Sequence, residues 1–262
     1  MIRDRMAYVC CIAILGLVLG SRPALAEDTR TIDLDLYGRL LEAHTRATPD
    51  IVGTRVDYRA LENSEDWQRL VEQVRAATPS RMGADERLAF WINAYNILAI
   101  ELVREHYPVE SIKDIGSFFS PVWNVEVAEI EGRTLSLGEI EHEILRKLDE
   151  PRIHAAIVCA SISCPPLART PFRPTRLDED LSAAMRRWLA NREKGFALDR
   201  ERKRVRLSKV FDWFEQDFES RGGVLAAISP YLEPEDAAWL RTNAAAVQIR
   251  YFDYDWSLND LR

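Results

Sequence analysis

One segment limits the possible folds of this chain more than any other, because residues 84–106 are apolar on nearly every side of a helix. Its large apolar side chains are Leu88, Phe90, Trp91, Ile92, Tyr95, Ile97, Leu98, Ile100, Leu102 and Val103. A helix that is apolar all round lies in the interior of a protein and must be covered by other elements. With 262 residues, 47% of them apolar, the chain can supply that cover within a single domain.

The rest of the chain mixes helical and hairpin patterns. Apolar residues at helical spacing predict helices at 33–47, 67–74, 136–148 and 177–192 and after Ser208. Alternating patterns predict two hairpins, 123–136 and 196–207, and a last strand at 247–254. A continuous apolar run predicts a buried strand at 153–159. This mixture indicates an α+β fold, a single domain of several helices packed on a small, mostly antiparallel sheet.

The first 26 residues have the pattern of a secretory signal peptide. Arg3 and Arg5 precede a short apolar run, and Ala24-Leu25-Ala26 has the small residues of a cleavage site. We therefore expect a periplasmic or secreted protein that begins at Glu27 and has no stable membrane insertion after cleavage, which N-terminal sequencing of the exported protein would check. The net charge of −7 argues against a nucleic acid partner.

The buried helix carries two amide side chains, Asn93 and Asn96, three residues apart on one face. A buried amide destabilises a protein unless it is hydrogen-bonded. We expect both amides to bind the backbone of nearby loops or to line an active site, with Asn96 a candidate for orienting a catalytic base. Replacement by leucine should then reduce stability by about 1–3 kcal/mol.

Several motifs occur together in the second part of the chain. They are Phe90-Trp-Ile-Asn-Ala-Tyr-Asn96, Ile140-Glu-His-Glu-Ile-Leu-Arg146, the segment 151–166 with His154 and two cysteines, the segment 207–218, and Tyr254-Asp-Trp-Ser-Leu-Asn259. With these motifs the chain resembles the exported bacterial branch of the family named domain of unknown function 547. The resemblance implies a domain at 84–262, with residues 27–83 as an N-terminal helical segment packed on it, and implies little about a reaction.

Cys159 and Cys164 remain after the predicted cleavage and lie in one short segment. Cys164 lies beyond the predicted strand, after Ser161 and Ser163, so we expect it to be the more exposed thiol. His142 and His154 are the histidines embedded in apolar segments near this loop. On a strand at 153–159, His154 would lie about 16 Å from Cys159 at ~3.3 Å per residue, which favours His142 as the partner of Cys164.

The leading hypothesis is an exported thiol-dependent hydrolase or acyl transferase acting on a small-molecule or peptide substrate. Cys164 would be the nucleophile, His142 the base, and Glu141 or Asn96 would orient the imidazole. Backbone amides of 160–164 would hold the oxyanion. This arrangement is papain-like in the roles of its groups only.

Two alternatives remain open at the level of sequence. Cysteines of an exported protein commonly form disulfides, so a structural Cys159–Cys164 bridge in a non-enzymatic binding or accessory module is the first. The second is a mononuclear metal site that uses His142 and His154 with a cysteine or glutamate. No motif for an organic cofactor is present, so none is predicted.

Overall fold

A computed structural model describes residues 31–117 and 120–261 of the chain. The predicted signal peptide and its cleavage site lie outside these residues. The helices in them are α1 Leu34–His44, α2 Tyr58–Leu61, α3 Glu65–Ala76, α4 Ala84–His106, α5 Leu137–Glu139, α6 Leu177–Leu189, α7 Val210–Trp213, α8 Val224–Ile228 and α9 Pro234–Asn243. The strands are β1 Thr45–Ala47, β2 Thr54–Val56, β3 Glu126–Ile130, β4 Arg133–Ser136, β5 Phe196–Asp199, β6 Arg204–Leu207 and β7 Gln248–Tyr251.

Helix α4 is the centre of the molecule, as its all-round apolar pattern predicts. Every residue from 89 to 103 is buried. The helix begins after Gly83, with acidic side chains in its first turn, and ends before Pro108, with Arg104 and His106 in its last turn. Both charge placements favour the helix dipole. Helices α2 and α3 and the turns after α5 pack around α4. One core therefore contains residues from the segment before α4 and from the segment after it.

The strands form three small sheets in the described part of the chain, not the single sheet that the sequence predicted. Strands β1 and β2 pair antiparallel, as do β3 and β4. Strand β6 pairs antiparallel with β5 and parallel with β7. The α+β class and both hairpins are confirmed. The hydrophobic core lies among the helices, because each sheet has only two or three strands and is too small to cover a core by itself.

The predicted buried strand at 153–159 is wrong. Residues Pro151–Ala155 form a 3₁₀ turn, and the chain then runs without regular structure to the cysteines. The segment is buried, but its polar backbone groups are taken by a side chain. Asn96 donates to the carbonyl of Ala156 at 2.9 Å and accepts from the amide of Val158 at 2.8 Å. Continuous apolar character therefore identified burial and not strand structure.

The helix that begins at Ser136 changes its winding within a few residues. Ser136 and Glu139 form the predicted capping box. A π-helical turn at Ile140–Ile144 follows α5, and a 3₁₀ turn at Leu145–Leu148 ends the helix. Widened turns of this kind occur frequently at functional sites. Among the described helices, none combines the length and the apolar character needed to cross a membrane.

Candidate functional site

A pocket of about 140 Å³ lies between the π-helical turn, the cysteine loop and the aromatic residues that follow β6 and β7. Its lining residues are Tyr95, Trp123, Gly138, Glu141, His142, His154, Ile157, Cys159, Cys164, Pro165, Val210, Trp213, Phe214, Tyr254 and Trp256. Four of the five site residues predicted from sequence are among them, and Asn96 is not. Side chains from separate stretches of the chain therefore meet at one concave surface, as ligand sites require.

The cysteine loop is held in place by the C-terminal segment and by a buried lysine. Backbone bonds run from the amide of Ile162 to the carbonyl of Ser257 and from the amide of Asn259 to the carbonyl of Ala160. The Nζ of Lys194 donates to the carbonyl oxygens of Val52, Ile162 and Cys164 at 2.9, 2.9 and 2.5 Å. Burial lowers the pKa of Lys194 to about 7. Three carbonyl acceptors satisfy the donors of this ammonium group, so its role is structural.

Cys159 and Cys164 form a disulfide. The expected exposure of the two cysteines is reversed, because Cys164 is only 3% exposed and Cys159 is the partly exposed one. The hydroxyl of Tyr254 lies 3.3 Å from each sulfur. The amide of Cys159 donates to the sulfur of Cys164 at 3.0 Å. The oxidised protein therefore contains no free thiol at the pocket.

His154 is buried at the back of the pocket and forms a hydrogen bond with a carboxylate. Its Nε2 lies 2.8 Å from Oδ2 of Asp217, and the ring stacks on Phe214 with centroids 4.3 Å apart. Burial is the main reason that its pKa is lowered, so the ring is neutral near pH 7. The neutral ring donates through Nε2 to Asp217, which leaves the lone pair of Nδ1 directed to the other side.

The charge of Asp217 is stabilised from two directions. Burial alone would raise its pKa, but hydrogen bonds from His154 and Arg146 outweigh burial and hold the pKa well below its usual range. The guanidinium of Arg146 binds both carboxylate oxygens, at 2.6 and 2.7 Å. Asp217 therefore remains an anion that orients the imidazole, a combination common to many catalytic histidines.

Glu141 faces the free nitrogen of His154. Its Oε1 lies 3.9 Å from Nδ1 of His154, and the hydroxyl of Tyr95 donates to the carboxylate. Burial raises the pKa of Glu141 to about 7, against the opposing charge of Arg146. The negative charge of Glu141 also raises the pKa of Tyr254, which burial has already increased, so these two groups interact across the pocket. A carboxyl group with a pKa near neutrality can both accept and donate a proton.

His142 lies at the pocket but is not placed as a base. Its Nδ1 is 3.0 Å from Nη1 of Arg146, which has no lone pair and must be the donor. Burial and the charge of Arg146 lower the pKa of His142, so the ring is neutral with its proton on Nε2. The nitrogen that remains available is therefore a donor and not a proton acceptor.

Asn93 and Asn96 are both hydrogen-bonded to loop backbone, as the sequence predicted. Asn93 donates to the carbonyl of Phe172 at 2.7 Å and accepts from the amide of the same residue at 3.0 Å. Asn96 binds Ala156 and Val158 in the same way. Asn96 acts through the segment that leads to Cys159 and does not itself reach the pocket. The side chain of Asn96 makes its hydrogen bonds in the described structure to Ala156 and Val158 and not to an imidazole, so it does not orient a catalytic base as predicted.

Four residues that shape the site had no predicted role in it, although the sequence places Arg146 one turn after His142: Tyr95, Arg146, Asp217 and Tyr254. All four lie within the motifs that carry the family resemblance. Nothing in their spacing places them together, since Asp217 is 63 residues from His154 and Tyr254 is 95 residues from Cys159. For Asp217 the available signal was its position as a polar residue among the aromatic residues of 211–218.

The described residues offer no metal centre, because no three His, Cys, Asp or Glu side chains among them are arranged as ligands. The two histidines proposed as ligands are also engaged by other partners, His142 by Arg146 and His154 by Asp217. Within 31–117 and 120–261 the residues therefore do not fit the mononuclear metal alternative.

Residues 79–189 match the model of the family described as protein of unknown function, DUF547. This region is less than half of the chain and contains α4, the π-helical turn and both cysteines. Asp217 and Tyr254 lie beyond its end. No curated protein and no solved structure matched the chain. The match over 79–189 supports membership of this chain in the DUF547 family.

Proposed function

We propose that the pocket is the active site of a thiol-dependent hydrolase or acyl transferase whose nucleophile is released when the Cys159–Cys164 disulfide is reduced. One observation carries this proposal: the two sulfurs, Glu141 and His154 line the same pocket although they come from separate segments. A nucleophile, a proton-transfer group and an oriented histidine are the parts that acyl transfer by a cysteine requires.

Cys159 is the better nucleophile of the pair. It is partly exposed to the pocket, whereas Cys164 is buried. The hydroxyls of Tyr254 and Ser161 both lie 3.3 Å from its sulfur, and Ser161 donates to the hydroxyl oxygen of Tyr254 at 3.1 Å. Tyr254 keeps its own proton for a thiolate, and a hydrogen bond to the charged form would lower the pKa of this thiol.

Glu141 is the group we assign to proton transfer. It faces the pocket in front of His154, and its pKa of about 7 suits both directions of transfer near neutral pH. His154 and Asp217 lie behind it and hold the site in one arrangement. The Nε2–H of His142 is then available to donate to the carbonyl oxygen of a substrate.

The reaction follows from these roles. The thiolate of Cys159 adds to an acyl carbonyl, and the oxygen takes the negative charge. Collapse of the adduct expels the leaving group, which takes a proton from Glu141. Water, or another acceptor, then attacks the acyl enzyme while Glu141 accepts its proton, which restores the thiolate. The small pocket volume and its indole walls suit short acyl groups on small esters or peptides.

We also propose that the protein is exported. The first 26 residues predict secretion, and a disulfide between the two remaining cysteines is consistent with an oxidising compartment.

A pair of single substitutions tests the proposed reaction with p-nitrophenyl acetate as the substrate. Cys164→Ser removes the disulfide partner of Cys159, so this variant should hydrolyse the ester without a reductant. Cys159→Ser should be inactive with or without dithiothreitol, and the unmodified protein should gain activity on reduction. Equal hydrolysis by the two serine variants would reject Cys159 as the nucleophile.

The substitution His154→Gln tests whether hydrolysis requires this histidine or is a reaction that any exposed protein thiol would give. It should reduce hydrolysis by the Cys164→Ser protein, whereas His106→Gln, on the far end of α4, should not. Equal activity of these two double variants would argue against the assigned site.

A second candidate function is a binding module in which the disulfide is structural. Two observations favour this alternative: Cys164 is buried, and the ammonium group of Lys194 donates to three backbone carbonyl oxygens around the cysteine loop. Both stabilise the loop in its oxidised form. On this alternative, reduction would lower the urea midpoint and produce no hydrolysis in any variant.

A further inference from the structure

We propose that the Cys159–Cys164 disulfide is itself a site of thiol–disulfide exchange that reacts with small thiols entering the pocket. This activity does not depend on acyl transfer, because it involves only the two sulfurs and the incoming thiol. It would also be the step that releases the nucleophile proposed above.

The two sulfurs have different surroundings, and the difference fixes the direction of attack. Cys159 is partly exposed and lines the pocket, while Cys164 is 3% exposed. Exchange begins when a thiolate approaches one sulfur and expels the other. An incoming thiol therefore attacks Cys159, and Cys164 is the leaving group.

The leaving sulfur has donors in place to receive its negative charge. The amide of Cys159 donates to the sulfur of Cys164 at 3.0 Å, and the hydroxyl of Tyr254 lies 3.3 Å from the same sulfur. Donors to a thiolate lower its pKa, and a thiol of lower pKa leaves faster. A bridge with a structural role alone does not require such donors at its buried sulfur.

The pocket restricts which thiols reach the bridge. Its volume is about 140 Å³, and Trp213, Tyr254 and Trp256 form a continuous aromatic group along it. Trp213 is 44% exposed at the rim. A small monothiol fits this space, whereas a cysteine on a folded protein would have to bring its surrounding backbone past the rim.

The exchange balances with two thiols for each bridge. One thiolate attacks Cys159, the bond between the sulfurs breaks, and Cys164 leaves as a thiolate. A second thiolate attacks the sulfur of the first thiol in the mixed disulfide and releases the thiolate of Cys159. The two small thiols depart as their own disulfide, and their two protons pass to the two cysteines. The protein has then gained two electrons and two protons.

Glu141 is placed to carry one of these protons. It lines the same pocket, and its charge acts on Tyr254, which contacts both sulfurs. A carboxyl group with a pKa of about 7 exchanges protons readily at the pH at which thiols react.

The test measures thiols released from the native protein by 2-mercaptoethanol, with no denaturant and no acyl substrate. Thiols are counted by maleimide labelling, and tryptophan fluorescence follows the fold in the same samples. We expect two thiols per chain to appear while the fluorescence stays native. Tyr254→Phe should react about tenfold more slowly, since it lacks the hydroxyl that stabilises the leaving thiolate.

Tyr231→Phe is the matched control, because Tyr231 lines a different cavity, and it should react at the unmodified rate. Reduced thioredoxin, a protein dithiol, should reduce the bridge more slowly than 2-mercaptoethanol at equal thiolate concentration. The proposal is overturned if thiols appear only as the protein unfolds, if the two phenylalanine variants react at the same rate, or if thioredoxin is the faster reductant. Hydrolysis by Cys164→Ser is a separate readout, so either proposal can fail alone.

Discussion

Replacement of Asn96 by leucine tests the contact that shapes the segment leading to the cysteines. The amide is 2% exposed and makes two hydrogen bonds to the backbone, one to the carbonyl of Ala156 and one from the amide of Val158. Leucine has a similar size but no polar atoms. The substitution therefore leaves one buried carbonyl and one buried amide without their partner.

The expected loss follows from those two groups. A buried donor or acceptor left unsatisfied destabilises a protein by about 1–3 kcal/mol, and the apolar surface of leucine offsets part of the sum. We expect the free energy of unfolding to fall by about 2–5 kcal/mol, against a total of roughly 5–15 kcal/mol for a typical domain. The upper end would leave little native protein.

Urea denaturation of the oxidised protein, followed by tryptophan fluorescence, measures this loss. Asn63→Leu is the control, because Asn63 is exposed in the turn before α3 and should change stability by less than about 0.5 kcal/mol. The slope with urea should stay constant, so the change appears in the midpoint. If Asn96→Leu and Asn63→Leu had equal midpoints, the assigned hydrogen bonds would contribute nothing and the reasoning would be refuted.

Three further predictions concern the pocket and its surroundings. In the unmodified protein, the carboxyl group of Glu141 keeps its proton up to about pH 7 when folded but loses it near pH 4.5 when unfolded. The free energy of unfolding therefore falls as the pH rises between these values, and Glu141→Gln should remove this pH dependence. Relative to Glu141→Gln, the unmodified protein should lose on the order of 3 kcal/mol across that range in urea titrations, and a constant difference would contradict the raised pKa. Arg146→Gln should raise the pKa of His142 in an NMR titration, because it removes a positive charge that lowers it; an unchanged or lower value would contradict the contact. Gly195→Ala should lower the free energy of unfolding by on the order of 3 kcal/mol, because its Cβ would lie 1.9 Å from a carbonyl oxygen. Gly83→Ala meets no atom within 4 Å and should change the stability little, so thermal unfolding should show a clearly lower midpoint for Gly195→Ala alone.

Local patterns in the sequence predicted the elements that depend on local physics. Helix α4 was predicted with its observed ends, because its apolar pattern, charged ends and following proline act within a few residues. The capping box at Ser136 and Glu139 was predicted for the same reason. The two asparagines were predicted to be hydrogen-bonded because a buried amide has no other stable state.

The site depended on contacts that spacing does not encode. An apolar run at 153–159 predicted a strand, and that strand would have placed His154 far from the cysteines. The backbone instead bends to meet Asn96, and His154 joins the pocket. Asp217 and Arg146, which decide how the histidines are protonated, come from turns far apart in the chain. The identity of the base therefore could not be read from the cysteine loop alone.

The distances along the chain also order the events of folding. The two cysteines are separated by five residues, while Tyr254, which covers both sulfurs, is 90 to 95 residues away from them. A ten-residue loop closes in about 10–100 ns, whereas contacts over long separations form much later. The two cysteines therefore come into contact before Tyr254 reaches them. An oxidant that acts at that stage meets thiols that no pocket yet encloses, whereas a reductant that acts on the folded protein must enter the pocket.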